Sequence, residues 1–164
     1  MILDGIPLVR ADGSSNDTSP SSSLIVLVFS ASWCPDCTRF IPRLAEACKA
    51  ERGGDPAPAD IVLVSSDRSR DDMHKYMREC LGDWRAVNFD GSHRAALKKR
   101  LGVCAASEMG ELGIDSASRK DGIPTVAVFR NSDGALVTLA GVRDVEEAGA
   151  GVFRRWKLAA AALE

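Results

Sequence analysis

Apolar residues in this chain fall into continuous runs and helical stripes. Residues 24–29 are apolar at every position, which is typical of a central strand covered on both faces. Residues 61–64 repeat this pattern. A third run, 125–129, is followed by turn residues 131–134 and a returning strand at 135–140. The pattern predicts three buried strands, of which the last begins a hairpin.

Helical spacing, with apolar residues three and four positions apart, marks the segments between these strands. The first stripe begins at Cys37 and continues past Pro42, which should kink the helix without ending it. Ser69 can cap a second helix, and Ser92 can cap a third that ends at Gly102. The second helix has an apolar face formed by Met73, Tyr76, Met77, Cys80 and Leu81. One last helix is predicted to bury Val145, Ala148, Val152, Phe153 and Trp156.

The order of these elements predicts the topology. A helix between runs 24–29 and 61–64 implies a parallel crossover, whereas the hairpin at 125–140 must be antiparallel. Residues 2–3 and 6–9 predict a short first strand or hairpin. The sequence therefore predicts an α/β protein with a mixed sheet that carries helices on both faces.

Four other segments lack a clear period. Residues 11–23 and 53–59 are predicted loops, and 84–89 is irregular or a short extended piece. The fourth segment, 103–122, is long for a connection inside a compact domain. Such connections tend to be functional or mobile.

Composition narrows the class of protein. The 164 residues suit one domain with a real core, and 45% hydrophobic with 27% charged residues is ordinary for a globular chain. The net charge is −2 without a basic stripe, so we expect no nucleic-acid partner. The longest apolar run, 24–29, is far too short to span a bilayer, so we expect no membrane partner.

The termini and the cysteine count indicate the compartment. No basic region followed by a long apolar stretch opens the sequence, so no secretory signal is visible. Five cysteines is an odd number, which favours a reducing compartment. We expect the protein in the cytoplasm, with the nucleus as an additional location. Residues 158–164 resemble an expression-vector linker, which leaves 1–157 as the domain.

The candidate chemistry lies in Trp33-Cys34-Pro35-Asp36-Cys37, between the first buried strand and the first helix. Cys34 should begin the helix, where unpaired N–H groups and the helix dipole favour its thiolate. Pro35 suits the first helical position. Cys37 lies one turn later and can close a disulfide with Cys34. We expect Cys34 to be exposed at the helix tip and Cys37 to lie on the buried stripe.

Two other interpretations of the cysteine pair are possible: the cysteines could be two of the four ligands of a zinc site, or two inert structural thiols. Zinc needs four ligands. The other cysteines and histidines do not form a second closely spaced pair of zinc ligands; they are Cys48, Cys80, Cys104, His74 and His93. We interpret Cys48 as a core residue and Cys104 as a free, non-catalytic thiol.

Together these residues resemble the thioredoxin-fold proteins, and more narrowly the tryparedoxin and nucleoredoxin group. The resemblance is carried by residues 29–37, by Phe40 and Pro42, by residues 64–67 and by residues 122–125. It covers about residues 3–157, with a gap at 103–121. It implies a thioredoxin-like three-layer fold, in which a central mixed β-sheet is flanked by helices on both faces.

The resemblance also implies roles for individual residues. Cys34 would attack the substrate disulfide, and Cys37 would resolve the mixed disulfide. Pro124, after Ile123, would be a cis-proline that faces the disulfide and whose backbone pairs with the substrate chain. Trp33 would cover the site. With Pro35 and Asp36, these residues are the predicted substrate-binding surface.

Three features depart from the family pattern. Asp36 places a negative charge beside Cys34, which should raise the pKa of the thiol unless Arg39 offsets it. Val28 replaces the buried carboxylate that thioredoxins proper carry six residues before the first cysteine, as in tryparedoxins, so water or Asp36 must serve as the proton shuttle. Segment 103–121 is longer than in family members and leads directly into Pro124.

These observations predict a monomeric dithiol–disulfide oxidoreductase that reduces protein disulfides without a cofactor. Its partners would be a disulfide-containing protein substrate and a dithiol electron donor that the sequence does not identify. The alternative is a redox-regulated binding module of nucleoredoxin-like type with little turnover.

Overall fold

The computed structural model describes residues 1–15, 19–51 and 57–164, in which six strands form one mixed sheet. The strands are β1 (Leu8–Val9), β2 (Leu24–Ser30), β3 (Asp60–Ser65), β4 (Arg85–Val87), β5 (Thr125–Arg130) and β6 (Leu136–Thr138). Their order across the sheet is β1-β4-β3-β2-β5-β6. The predicted loops 11–23 and 53–59 lie partly outside the described residues, at 16–18 and 52–56.

β2 is a central strand, and all seven of its residues are buried. It pairs in parallel with β3 and antiparallel with β5, which confirms the predicted crossover and the predicted mixed sheet. β4 adds a short extended piece within 84–89, parallel to β3. The predicted first strand is reduced to β1, antiparallel to β4, because residues 2–5 form a turn.

The helices cover both faces of the sheet. They are α1 (Pro35–Glu51), α2 (Arg70–Cys80), α3 (His93–Leu101), α4 (Met109–Leu112), α5 (Gly141–Ala148) and α6 (Val152–Ala162). Val26 and Val28 of β2 belong to the apolar cluster that contains residues of α1, α2, α5 and α6. Ile25 and Leu27 point to the other face and join Leu97 of α3. The alternation along β2 thus produces the predicted three-layer α/β fold.

Three details of the helices differ from the predictions. The last helix is two helices, since a 3₁₀ turn at Gly149–Gly151 interrupts it and Gly149 has a φ of +52°. Glycine interrupts a helix because it loses more backbone entropy than other residues. Ser92 makes no side-chain capping hydrogen bond, and its own backbone is already helical. Cys80 is exposed, because the last turn of α2 passes the edge of the core.

Other helix predictions are confirmed. The Ser69 side chain accepts a hydrogen bond from the Asp72 N–H at 3.1 Å, as the capping motif requires. α1 continues through Pro42 to Glu51.

No helix in the described part of the chain combines the length and the apolar character that crossing a membrane requires.

The C-terminal residues pack onto the sheet. α6 continues to Ala162, and Arg130 of β5 donates hydrogen bonds to the carbonyls of Ala160 and Leu163 at 2.6 and 3.0 Å. These bonds satisfy carbonyls that a helix end leaves unpaired. The division of the chain at residue 157 stays a prediction, although the helix continues across it.

Residues 103–121 leave the end of α3 and return to a point beside their own start; we call this segment the excursion. Val103 and Asp121 form a parallel bridge at its base, and the Lys120 N–H donates to the Gly102 carbonyl at 2.7 Å. Cys104 is fully buried inside the excursion. The segment returns to the sheet immediately before Ile123, so its base determines where the chain enters β5.

A buried ion pair attaches this excursion to the sheet. The Lys98 ammonium of α3 donates to the Glu108 carboxylate at 2.5 Å and to the Ser65 carbonyl at 2.9 Å, and its side chain is 2% exposed. Glu108 also accepts from the backbone N–H of Ala105 at 2.9 Å. Burial lowers the pKa of Lys98, and the hydrogen bond to Glu108 opposes that effect.

The first prediction concerns Gly141, which opens α5 against β5. A Cβ at this position would lie 2.5 Å from Cγ1 of Val126 and 2.7 Å from its carbonyl oxygen. Gly141→Ala should therefore lower the free energy of unfolding by about 2 kcal/mol in guanidinium titrations. Gly151→Ala is the control, because nothing lies within 4 Å of its added Cβ. Equal denaturation midpoints for the two variants would contradict the prediction.

The second prediction concerns Glu108. Glu108→Gln leaves the buried Lys98 charge without its counter-ion and should lower the free energy of unfolding by about 3 kcal/mol. Glu111→Gln changes an exposed acid on the neighbouring turn and should shift it by less than about 0.5 kcal/mol. Guanidinium titrations measure both variants. If Glu108→Gln were as stable as Glu111→Gln, the ion pair would not be holding the excursion in place.

Candidate active site around Cys34 and Cys37

Cys34 caps the N-terminus of α1, at the carboxyl end of β2. Its N–H donates to the Ala31 carbonyl at 3.2 Å, and its own carbonyl accepts from the Thr38 N–H at 3.1 Å. Pro35 is the first helical residue, as predicted. Cys34 therefore lies at one edge of the sheet, between a buried strand and the start of a helix.

Cys34 and Cys37 are joined by a disulfide, with their Cα atoms 5.2 Å apart. The Cys37 N–H points at the Cys34 Sγ, at 3.2 Å. This sulfur thus occupies the place of a capping side-chain oxygen, where it meets an otherwise unpaired N–H and the positive end of the helix dipole. The arrangement favours a thiolate on Cys34 after reduction.

The two cysteines differ less in exposure than the sequence suggested. Cys37 is completely buried, as predicted, but Cys34 is only 6% exposed. The prediction of an exposed Cys34 is wrong, because Ala31 and Ile123 pack against the pair. Cys34 nevertheless remains the more accessible sulfur.

Ile123 and Pro124 lie beside the disulfide, joined by a cis peptide bond as predicted. The Ile123 carbonyl oxygen is 3.9 Å from the Cys34 Sγ. Thr125 Oγ1 donates to the Gly122 carbonyl at 2.7 Å and holds the turn at the start of β5. The Ile123 N–H makes no hydrogen bond to other described residues.

The loop before Cys34 is attached to the residues that follow β3. Asp67 accepts from the Ser32 N–H at 2.9 Å and from the Ser32 hydroxyl at 2.6 Å. The second Asp67 oxygen accepts from the Ser65 hydroxyl at 2.9 Å. The Trp33 indole donates to the Ser66 carbonyl at 2.9 Å. Asp67 and Ser66 thereby position the two residues that precede Cys34.

Glu108 extends this network, and the sequence analysis did not identify it as a residue of the site. Its carboxylate accepts from the Ser66 hydroxyl at 2.8 Å, while the Ser66 carbonyl holds Trp33. The excursion 103–121 is thus connected to the active-site loop through one residue. No periodicity marks this segment, so no sequence signal pairs Glu108 with Lys98 or Ser66.

Asp36 projects into solvent and pairs with Arg39, with 2.5 Å between the carboxylate and the guanidinium. Both side chains are about three-quarters exposed, at 74% and 76%. The expected offset of the Asp36 charge therefore has a structural basis, although solvent screens such pairs strongly.

Two further features bear on the chemistry of the site. Val28 is fully buried, so the position where thioredoxins proper carry a carboxylate is apolar here. Within residues 1–15, 19–51 and 57–164, no group of three or more His, Cys, Asp or Glu side chains could hold a metal ion.

Comparison with known proteins places this geometry in a family. The family model described as thioredoxin-like matches residues 22–136. Among curated proteins, tryparedoxin of Trypanosoma brucei brucei is 34% identical over 125 residues, which cover 75% of this chain and 72% of that protein.

Nucleoredoxins match over a smaller part of their length. Nucleoredoxin of Bos taurus is 30% identical over 82% of this chain, and probable nucleoredoxin 1 of Arabidopsis thaliana is 25% identical over 80%. This chain spans 27% and 22% of those two proteins, respectively.

Solved structures agree with the sequence relatives. A thioredoxin from Wuchereria bancrofti superposes with a TM-score of 0.66 at 32% identity, over 96% of this chain and 97% of that one. Tryparedoxin from Trypanosoma brucei superposes with a TM-score of 0.61 at 30% identity, over 82% and 79% of the two chains. With its paired cysteines at the start of α1 and a cis-proline beside them, this chain belongs to the thioredoxin-like family, together with the tryparedoxins and nucleoredoxins.

Proposed function

We propose that this chain is a dithiol–disulfide oxidoreductase that reduces disulfides in other proteins. The observation that carries the proposal is the position of Cys34. Its sulfur is bonded to the buried Cys37, accepts the Cys37 N–H at the helix start, and lies 3.9 Å from the carbonyl oxygen before the cis-proline. A sulfur in this place is both a good nucleophile and a good leaving group.

The proposed reaction has two exchange steps. The Cys34 thiolate attacks one sulfur of the substrate disulfide, so that the substrate S–S bond breaks, a mixed disulfide forms, and the released thiolate takes up a proton. The Cys37 thiol then loses its proton and attacks the Cys34 sulfur. The mixed disulfide breaks, the Cys34–Cys37 bond forms, and two electrons have passed to the substrate.

The residues around the disulfide supply the substrate surface in this proposal. An extended substrate segment would pair with the Ile123 backbone, whose N–H has no partner among the described residues. Pro124 holds that backbone toward Cys34. The exposed side of Trp33, with Pro35 and Asp36, would border the same segment.

The proposal includes the cellular setting. A dithiol donor must return two electrons to the Cys34–Cys37 bond, and no cofactor enters the exchange. Among the described residues, Cys48, Cys80 and Cys104 form no disulfide, as suits a reducing compartment such as the cytoplasm or nucleus. We propose that the chain acts as a monomer.

A redox-regulated binding module of nucleoredoxin-like type is the alternative function. Reduction of insulin disulfides with dithiothreitol as donor distinguishes the two. Turnover that requires Cys34 supports the enzyme. No turnover, with a Cys34 that still reacts with alkylating agents, supports the binding module.

The third prediction assigns the two cysteines. Cys37→Ser should complete the first exchange, because Cys34, the more accessible of the two sulfurs, remains, and should accumulate mixed disulfides that cannot be resolved. Cys34→Ser should capture almost no partner, because Cys37 is fully buried. Non-reducing gels of lysate passed over each immobilised variant measure the trapped complexes. Equal capture by the two variants would show that the assigned roles are wrong.

The fourth prediction concerns the exposed pair beside Cys34. Asp36→Asn removes a negative charge and should lower the pKa of the Cys34 thiol, whereas Arg39→Gln should raise it. The pH profile of alkylation should move by roughly 0.5 pH unit in each direction, because solvent screens both charges. Glu46→Gln, farther along α1, is the control. If both test variants kept the wild-type profile, the charges would not influence the thiol.

A further inference from the structure

A cavity of about 540 Å³ opens beside the active site, and Trp33 forms one of its walls. Arg68 lies next to Trp33, α3 contributes Arg94, and the excursion 103–121 contributes Glu108 and Glu111. We call this space the Trp33 cavity. Because Trp33 immediately precedes Cys34, a substrate held at the disulfide passes within side-chain reach of it.

Arg68 presents an unpaired charge to the Trp33 cavity. Its guanidinium carbon is 5.5 Å from the centre of the Trp33 ring, a distance at which the cation is attracted to the ring face. Within the described part of the chain it forms no ion pair and no hydrogen bond. The stacking holds the guanidinium while its five N–H donors stay available.

Arg94 contributes a second guanidinium with neutral partners. Its Nε donates to the Phe89 carbonyl at 3.0 Å and its Nη1 to the Ser65 carbonyl at 2.9 Å. The group lies over the Phe89 ring, at 3.9 Å from its centre. Burial lowers the pKa of Arg94, and the charges of Glu108, Asp90, Asp67 and Glu111 oppose that effect.

The acidic groups that line the cavity are mostly engaged elsewhere. Glu108 is bound by Lys98, Ser66 and the Ala105 N–H. Asp67 is bound by Ser32 and Ser65. Glu111 also lines the cavity, its side chain is exposed, and its charge opposes the lowering of the Arg94 pKa. Of the three cations that line this space, Arg68, Arg94 and Lys98, only Arg68 has neither a hydrogen bond nor an ion pair among the described residues.

We propose that the Trp33 cavity is a specificity site that binds an acidic side chain of the substrate polypeptide, close to the disulfide that Cys34 attacks. The inference rests on the proposed function and names the substrate class for the same site. A carboxylate accepts two parallel N–H bonds from one guanidinium, which gives direction as well as attraction. Arg68 would make this contact at the opening, and Arg94 would add its charge from the inner wall.

The test uses capped peptides that contain one disulfide and differ in one residue. Glu, Gln or Lys is placed two residues before or two residues after the reactive cysteine, and kcat/KM is measured with the full chain and dithiothreitol. In one of the two placements, the Glu peptide should be reduced about five times more efficiently than the Gln peptide, mainly through KM. The ratio should fall as salt is added.

Variants assign the preference to the cavity. Arg68→Gln should bring the Glu-to-Gln ratio close to one, and Arg68→Glu should make the Lys peptide the better substrate. Glu111→Gln should raise the ratio, because it removes the opposing charge. Arg154→Gln changes an exposed arginine on α6, across the sheet, and should leave the ratio unchanged.

The outcomes separate the two proposals. If wild type reduces no peptide, the proposed function fails and this inference fails with it. If it reduces the Glu, Gln and Lys peptides equally well in both placements, the function stands and the specificity site is wrong. An equal loss of preference in Arg68→Gln and Arg154→Gln would also overturn the site, because net charge alone would then explain it.

Discussion

The hydrogen bond from the Cys37 N–H to the Cys34 sulfur is the contact on which the active site depends. It exists because a short loop after the end of β2 at Ser30 leads directly into α1 at Pro35, so that the first cysteine takes the position of a helix cap. The same geometry brings Cys37 one turn later onto the buried stripe. The proposed attacking sulfur and the fully buried sulfur therefore arise from a single strand-to-helix junction.

The surroundings of that junction are assembled from the neighbouring strand. The residues after β3 hold the loop before Cys34, because Asp67 binds Ser32 and the Ser66 carbonyl binds the Trp33 indole. Parallel pairing of β2 with β3 places these residues at the same edge of the sheet. The carboxyl ends of adjacent parallel strands thus supply both the proposed nucleophile and the groups that orient its neighbours.

The excursion 103–121 contacts the active-site loop on one side and leads into β5 on the other. Glu108 connects it to Ser66, and its base lies beside the entry into β5, where Ile123 faces the disulfide. The segment forms one wall of the Trp33 cavity and ends at the proposed substrate backbone. In the proposed specificity site, a change in this segment would alter the wall of the Trp33 cavity that faces the substrate. Arg68 and Arg94 supply the charge that such a choice would use.

Local signals in the sequence determined the strands 24–29 and 61–64, the helix that starts at Pro35, the cysteine pair and, through the family resemblance, the cis bond before Pro124. Each of these depends on residues that are close in the chain. Only the tertiary structure decided that Cys34 is nearly buried, because Ile123 reaches it from 89 positions away. The same is true of the Lys98–Glu108 pair and of the Arg68 guanidinium on Trp33, which join separate elements. Such contacts form only when the sheet and the excursion fold together, and no spacing within one segment encodes them.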